Sequence, residues 1–216
     1  MSPTTSGESI MVRKVVLLGP PEAGKTTLRK LLFEGASPRA LLERSEPPSI
    51  GKRFHRYNYM LARPRGDDGM DPERVPVDLV IVDTAGQELD RWLTTSSEEI
   101  FTSSSLLFLI FDVQDWFVPE RKQQVLDLVL LVNDTRMNFS SDAMLFIFAH
   151  KFDLVDAGGD MMELARRIKM ELQDHAFETK QLMLDFNVSV SSITEAFRDA
   201  SHRAFFDRIT GVLDIA

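Results

Sequence analysis

Residues 19–26 read Gly-Pro-Pro-Glu-Ala-Gly-Lys-Thr, the GxxxxGK[ST] spacing that suits capture of phosphate groups. Gly19 and Gly24 permit backbone angles and close approaches that a Cβ would block, so the loop can wrap phosphates at a helix N-terminus. Lys25 adds a point charge for β- and γ-phosphates, and the Thr26 hydroxyl is a candidate ligand for Mg²⁺. The expected phosphate-binding set is Gly19, Pro21, Glu22, Ala23, Gly24, Lys25, Thr26 and Thr27.

A second group closes the mostly apolar strand-like run 77–83 (VDLVIVD), which ends in Asp83 and continues Thr84-Ala85-Gly86-Gln87. A carboxylate at the carboxyl end of a strand beside the phosphate-loop strand stands where a magnesium ion must sit. Gly86 can offer its N–H to a γ-phosphate, and Gln87 can orient an attacking water. With this DTAGQ run the chain resembles the Ras-like small GTPases, and the resemblance covers nearly its whole length. It implies a GTPase, slow without an activating partner, that hydrolyses GTP to GDP and phosphate and switches its partners, with Gln87 and Lys25 carrying the chemistry.

Residues 144–153 read MLFIFAHKFD, a buried strand closing on HKFD where most Ras-like proteins have NKxD. Asp153 can accept hydrogen bonds from the N1–H and N2–H₂ edge of guanine, whereas adenine presents an acceptor there. Lys151 lays its stem along the ring, and His150 replaces the amide that ties this loop to the phosphate loop. The HKxD variant, with residues 25–33 (KTTLRKLLF), 110–113 (IFDV) and 150–155 (HKFDLV), is similar to the Rag/Gtr branch.

The same resemblance extends to two less distinctive segments. Pro47-Pro48-Ser49-Ile50-Gly51 resembles the switch I segment PTIG, which makes Ser49 the second hydroxyl on magnesium. The last base-binding loop falls at Ser189, Val190 and Ser191, with either serine able to mark it. Pro21 stands where Ras itself has a glycine close to the attacking water. A proline there removes an N–H and fixes φ.

Positioning these groups takes an α/β fold. Apolar strand-like runs alternate with helical patterns, the signature of βαβ units. The pattern predicts six strands over 12–18, 52–61, 77–83, 106–112, 143–149 and 182–190, mostly parallel, and the resemblance implies a P-loop NTPase G domain with an antiparallel edge strand. Five helices, over 25–33, 89–103, 119–137, 160–177 and 193–213, cover both faces. Lys52, Arg53, His55 and Arg56 mark the second strand as an edge. Residues 1–10 are expected to form a flexible tail, 11–216 a single domain, and 63–76 a loop insertion. His55, His175 and His202 lack metal-ligand spacing and read as solvated.

The bulk numbers set outer limits. At 216 residues, with 44% apolar and 27% charged residues, the chain suits one packed domain. A net charge of -8 and a pI near 5.1 argue against nucleic acid as a partner. With no cysteine there is no disulfide, thiolate zinc site, prenyl or palmitoyl group, and Ser2 in place of Gly removes N-myristoylation. A cytoplasmic protein without a covalent lipid anchor is expected, recruited to a membrane only through a protein partner.

The resemblance further implies an activating protein, an exchange factor, an effector and a separate roadblock-type subunit as partners. Rag/Gtr proteins carry a second C-terminal domain for pairing, so obligate dimerisation is not expected of this chain. Two other readings stay open at this point: a nucleotide-bound scaffold with little hydrolysis, and another P-loop NTPase such as an Arf-like or bacterial gliding-type GTPase.

Overall fold

A computed structural model describes residues 11–43, 50–63, 73–155 and 160–194. The expected N-terminal tail, Pro47 to Ser49, the centre of the 63–76 insertion, His202 and nearly all of the helix expected from 193 lie outside the described residues.

Six strands form one sheet: β1 (Met11–Leu18), β2 (Lys52–Arg63), β3 (Glu73–Thr84), β4 (Ser104–Asp112), β5 (Met144–His150) and β6 (Phe186–Val190). Their order is β2-β3-β1-β4-β5-β6. Only β2 and β3 run antiparallel; β1, β3, β4, β5 and β6 are parallel neighbours. The mixed, mostly parallel sheet is the one the sequence pattern predicts.

Helices α1 (Lys25–Phe33), α2 (Pro38–Glu43), α3 (Leu89–Leu93), α4 (Ser97–Phe101), α5 (Pro119–Phe139) and α6 (Met161–Lys180) complete the described fold. Successive strand residues point to opposite faces, so β1 feeds two cores. Val15 and Leu17 join Leu28, Leu31 and Leu32 of α1 on one side. Val16 and Leu18 join Ile100 of α4, Val129 of α5 and Leu164 of α6 on the other. A strand covered on both faces must be apolar throughout, and β4 is buried at all but its second and last positions.

Three elements differ from the sequence pattern. The single helix expected over 89–103 is two short helices separated at 94–96. There the Thr94 hydroxyl donates to the Asp90 carbonyl at 2.6 Å and the Ser97 hydroxyl to the Thr94 carbonyl at 2.9 Å. Such local side-chain bonds compete with the helical ladder. Helix α2, not expected, starts on a Ser37 side chain that accepts from Ala40 N–H at 3.1 Å, with Pro38 in its first turn. Strand β3 begins at Glu73, so 73–76 belong to the sheet rather than to the insertion.

At the other end of the chain β6 is short, because α6 continues to Lys180 and closes with Gln181 in the left-handed region. Among the described residues no helix is long and apolar enough to cross a membrane.

Candidate functional site

The loop from β1 to α1 curls around the Lys25 side chain. Lys25 is 6% exposed, and its Nζ donates to the carbonyls of Gly19 at 2.8 Å and Pro20 at 2.7 Å. Burial pushes its pKa down to about 8, against the opposing pull of the Asp83 charge. Gly24 has φ +90° and caps α1 without a side-chain bond. The first-turn N–H groups of a helix have no partner within it and favour anions. Ala23 is buried, Thr26 and Thr27 are half-buried on the first turn, and Pro21 and Glu22 lie exposed at the lip.

Beneath the first turn lies Asp83, 1% exposed at the end of β3. Its Oδ2 accepts from Thr26 Oγ1 at 2.9 Å and from Arg29 Nε at 3.3 Å. Its Oδ1 is buried and takes no hydrogen bond from the protein. Parallel pairing explains the placement: Asp83 sits beside Leu17 in register, at the mouth of the loop that follows β1.

After β3 the chain crosses in front of the phosphate loop. A Cβ on Gly86 would lie 2.4 Å from Pro21 N and 2.5 Å from the Pro20 carbonyl carbon, so only glycine allows this approach. Gln87 follows on a 3₁₀ turn, Gly86–Glu88, and is exposed. The segment is anchored on both sides of that turn: Ala85 N–H donates to Gly51 O at 2.8 Å, Gly51 N–H to Glu88 Oε1 at 3.0 Å, and Trp92 Nε1 to Ala85 O at 3.0 Å. Gly51 thus joins the end of the expected switch I to this turn. Ser49 lies outside the described residues.

The third loop, after β5, starts with His150, 1% exposed. Its ring packs on Gly24, where an added Cβ would sit 2.5 Å from Cδ2. Its Nδ1 lies 3.0 Å from Ser191 Oγ. Burial, and then the neighbouring Lys151 charge, push the imidazole down to about 4, so it is neutral at physiological pH. Lys151 has φ +63° and its Nζ donates to Asp112 Oδ2 at 2.8 Å, at the end of β4. Asp153 is exposed on the 3₁₀ turn Phe152–Leu154, and its Oδ1 accepts a short hydrogen bond from Ser192 Oγ.

Loops after β5 and β6 are stitched together. Ser191 N–H donates to Ala149 O at 2.9 Å, and Phe152 N–H to Ser191 O at 3.1 Å. Of the three residues expected there, Ser191 meets His150, while Ser189 and Val190 lie within β6, opposite Phe148 and Ala149 in register. Ser192, wholly buried and holding Asp153, was not among the expected residues. Its only sequence signal is a second serine after an apolar strand. Arg29, 4% exposed against Asp83, was also missed, since a basic residue in a helix reads as solvated by default.

The structure therefore gathers Gly19 to Thr27, Asp83, Gly86, Gln87, His150, Lys151 and Asp153 at the carboxyl edge of one sheet, where ligands of open α/β sheets bind. A cavity of about 490 Å³ adjoins it, lined in part by Pro21, Glu22, Asp90, Asp112, Arg121 and Lys151.

Comparison with known proteins gives two similarities. The family model described as Gtr1/RagA G protein conserved region matches residues 73–205. Ras-related GTP-binding protein A of Dictyostelium discoideum is 27% identical over 147 residues, 67% of this chain and 42% of that protein. The chain thus spans less than half the length of the curated relative it matches.

Proposed function

The chain belongs to the Gtr1/RagA family of G proteins, and on that premise we propose that it binds GTP and GDP with Mg²⁺, hydrolyses GTP and acts as a nucleotide-dependent switch. The observation that carries this reading is the contact of Gly24 with His150. It makes one cradle of a loop suited to phosphates and a loop suited to guanine.

In this reading the α1 N-terminus and the Lys25 ammonium receive the β- and γ-phosphates. Asp153, held by Ser192, accepts from the guanine edge, and Lys151, held by Asp112, lines the ring. Hydrolysis forms a bond from a water oxygen to Pγ and breaks the bond from Pγ to the β–γ bridging oxygen. Gln87 orients that water, the Gly86 N–H meets the γ-phosphate, and Lys25 offsets the charge that develops.

Mg²⁺ fits the residues at its expected place. The Asp83 Oδ1 is a buried oxygen lacking a protein partner, beside the Thr26 hydroxyl, and Mg²⁺ keeps most of its ligands as water and phosphate oxygens. When bound it would neutralise phosphate charge. Ser49 is proposed as the second hydroxyl. Residues 11–216 are read as one domain, the protein as cytoplasmic, and its partners as an activating protein, an exchange factor, an effector and a roadblock-type subunit.

Mass analysis of nucleotide released from purified protein tests the binding, with GDP expected. An empty protein whose melting is unmoved by GDP and Mg²⁺ would end the reading, and ATP displacing GDP as well as GTP does would remove the guanine assignment. Single-turnover GTP hydrolysis separates an enzyme from a scaffold: the rate should fall at least about tenfold in Gln87→Leu. Equal rates would take Gln87 out of the mechanism.

A further inference from the structure

Arg29 is a buried cation with four neighbours of different kinds. Its Nε donates to Asp83 Oδ2 at 3.3 Å, its Nη1 donates to Tyr57 Oη at 2.8 Å and to Glu34 Oε1, and Nη1 lies 3.5 Å from His55 Nδ1. The expectation of a solvated His55 is corrected here, since its Nε2 is buried and its Nδ1 faces the guanidinium. Tyr57 also donates to Glu34 Oε1 at 3.1 Å and stacks on Phe33 with 5.2 Å between ring centroids.

Two features of this cluster point beyond packing. Both protein donors on Asp83 go to Oδ2, which leaves Oδ1 as the bare oxygen. The fork is also split between elements, one arm on Asp83 of β3 and another on Tyr57 of β2. Strand β2 begins immediately after Gly51, whose carbonyl is bonded to Ala85. Strand β2 already pairs with β3 through the backbone, Arg53 opposite Asp83, and the guanidinium adds a rigid planar side-chain link from Tyr57 to the carboxylate itself.

On the reading that Asp83 faces Mg²⁺, we infer that Arg29 is the positioning residue of that carboxylate: it fixes Oδ2, turns Oδ1 toward the cation, and couples metal retention to the place of β2 through Tyr57. A lysine cannot do this, because a single ammonium has no fixed fork with which to hold Asp83 and Tyr57 in a set relation.

The 216-residue chain loaded with a fluorescent GDP analogue is titrated with Mg²⁺, and the midpoint is read from the rate of nucleotide release, with EDTA giving the metal-free rate. Arg29→Lys should raise the midpoint roughly 10- to 100-fold. Tyr57→Phe should raise it by a smaller factor and leave the EDTA rate unchanged. Asp83→Asn should raise the midpoint further than either. Should Arg29→Lys fold poorly, Tyr57→Phe decides, since it keeps the ring on Phe33. Wild-type midpoints in the Arg29 and Tyr57 variants, beside a raised midpoint in Asp83→Asn, would make Arg29 a packing residue and overturn this inference alone. A wild-type midpoint in Asp83→Asn overturns the metal reading and this inference with it.

Discussion

The imidazole of His150 occupies the space that a side chain on Gly24 would need. An added Cβ would stand 2.5 Å from its Cδ2 and 2.9 Å from its Nε2. The contact is between loops far apart in sequence, and it leaves no room for a side chain at position 24.

Gly24→Ala should therefore destabilise the fold by about 3 kcal/mol, combining left-handed backbone strain with overpacking. Urea denaturation measures it. Adding His150→Ala should restore part of the loss, because it removes the clash but not the strain. Additive losses in the double variant would mean the two residues do not constrain each other.

His150 also gives the protein a pH signature. Its pKa is near 6.5 unfolded and about 4 folded, so the unfolded chain takes the proton first as pH falls. The contribution is complete above about pH 6.5 and is lost progressively toward pH 4, worth about 3 kcal/mol over the full window. His150→Asn should flatten that part of a stability-against-pH curve. An unchanged slope would place the acid sensitivity elsewhere.

Lys25→Met should separate stability from binding. The buried ammonium is costly, as its fall to about 8 implies, but it also satisfies the Gly19 and Pro20 carbonyls. Removing it should change unfolding free energy by only about 1 kcal/mol, because the two effects oppose. Fluorescent GDP binding should fall at least about 100-fold, having lost a charge-assisted contact to phosphate. Near-normal affinity would detach Lys25 from the phosphates.

Ser192→Ala leaves Asp153 without its buried hydroxyl donor. A hydrogen bond to a charged group is worth about 1.5–3 kcal/mol, so GDP affinity should weaken about tenfold or more while ATP binding stays as weak as before. Competition against fluorescent GDP reads both. Unaltered affinity would exclude Ser192 from base recognition.

Much of this could be read in the chain itself. β4 and β5 are near-continuous apolar runs, which only strands covered on both faces require, and the residues at the ends of β1, β3 and β5 carry motifs set by phosphate and base chemistry. What escaped depends on tertiary context. The break at Thr94 arises from hydroxyls bonding their own backbone, which periodicity does not register. Arg29 and Ser192 act through partners on other elements, Asp83 and Asp153, and no local pattern marks such pairs. Helix α2 was marked by Ser37 and Pro38, yet at six residues it is too short for a periodic signal.

The stitching of the loops after β5 and β6 gives the cradle an unequal pair of jaws. Ser191 is bonded to Ala149 and Phe152 through its backbone and to His150 through its side chain, so the two base-side loops are tied to each other by main chain and side chain alike. The opposite jaw meets the phosphate loop by the bare backbone of Gly86 and is held from behind by the hydrogen bonds of Ala85 to Gly51 and of Trp92 to Ala85. On the proposed reading, the phosphate end of the cradle therefore leans on Gly51, just before β2, while the base end leans on Ser191.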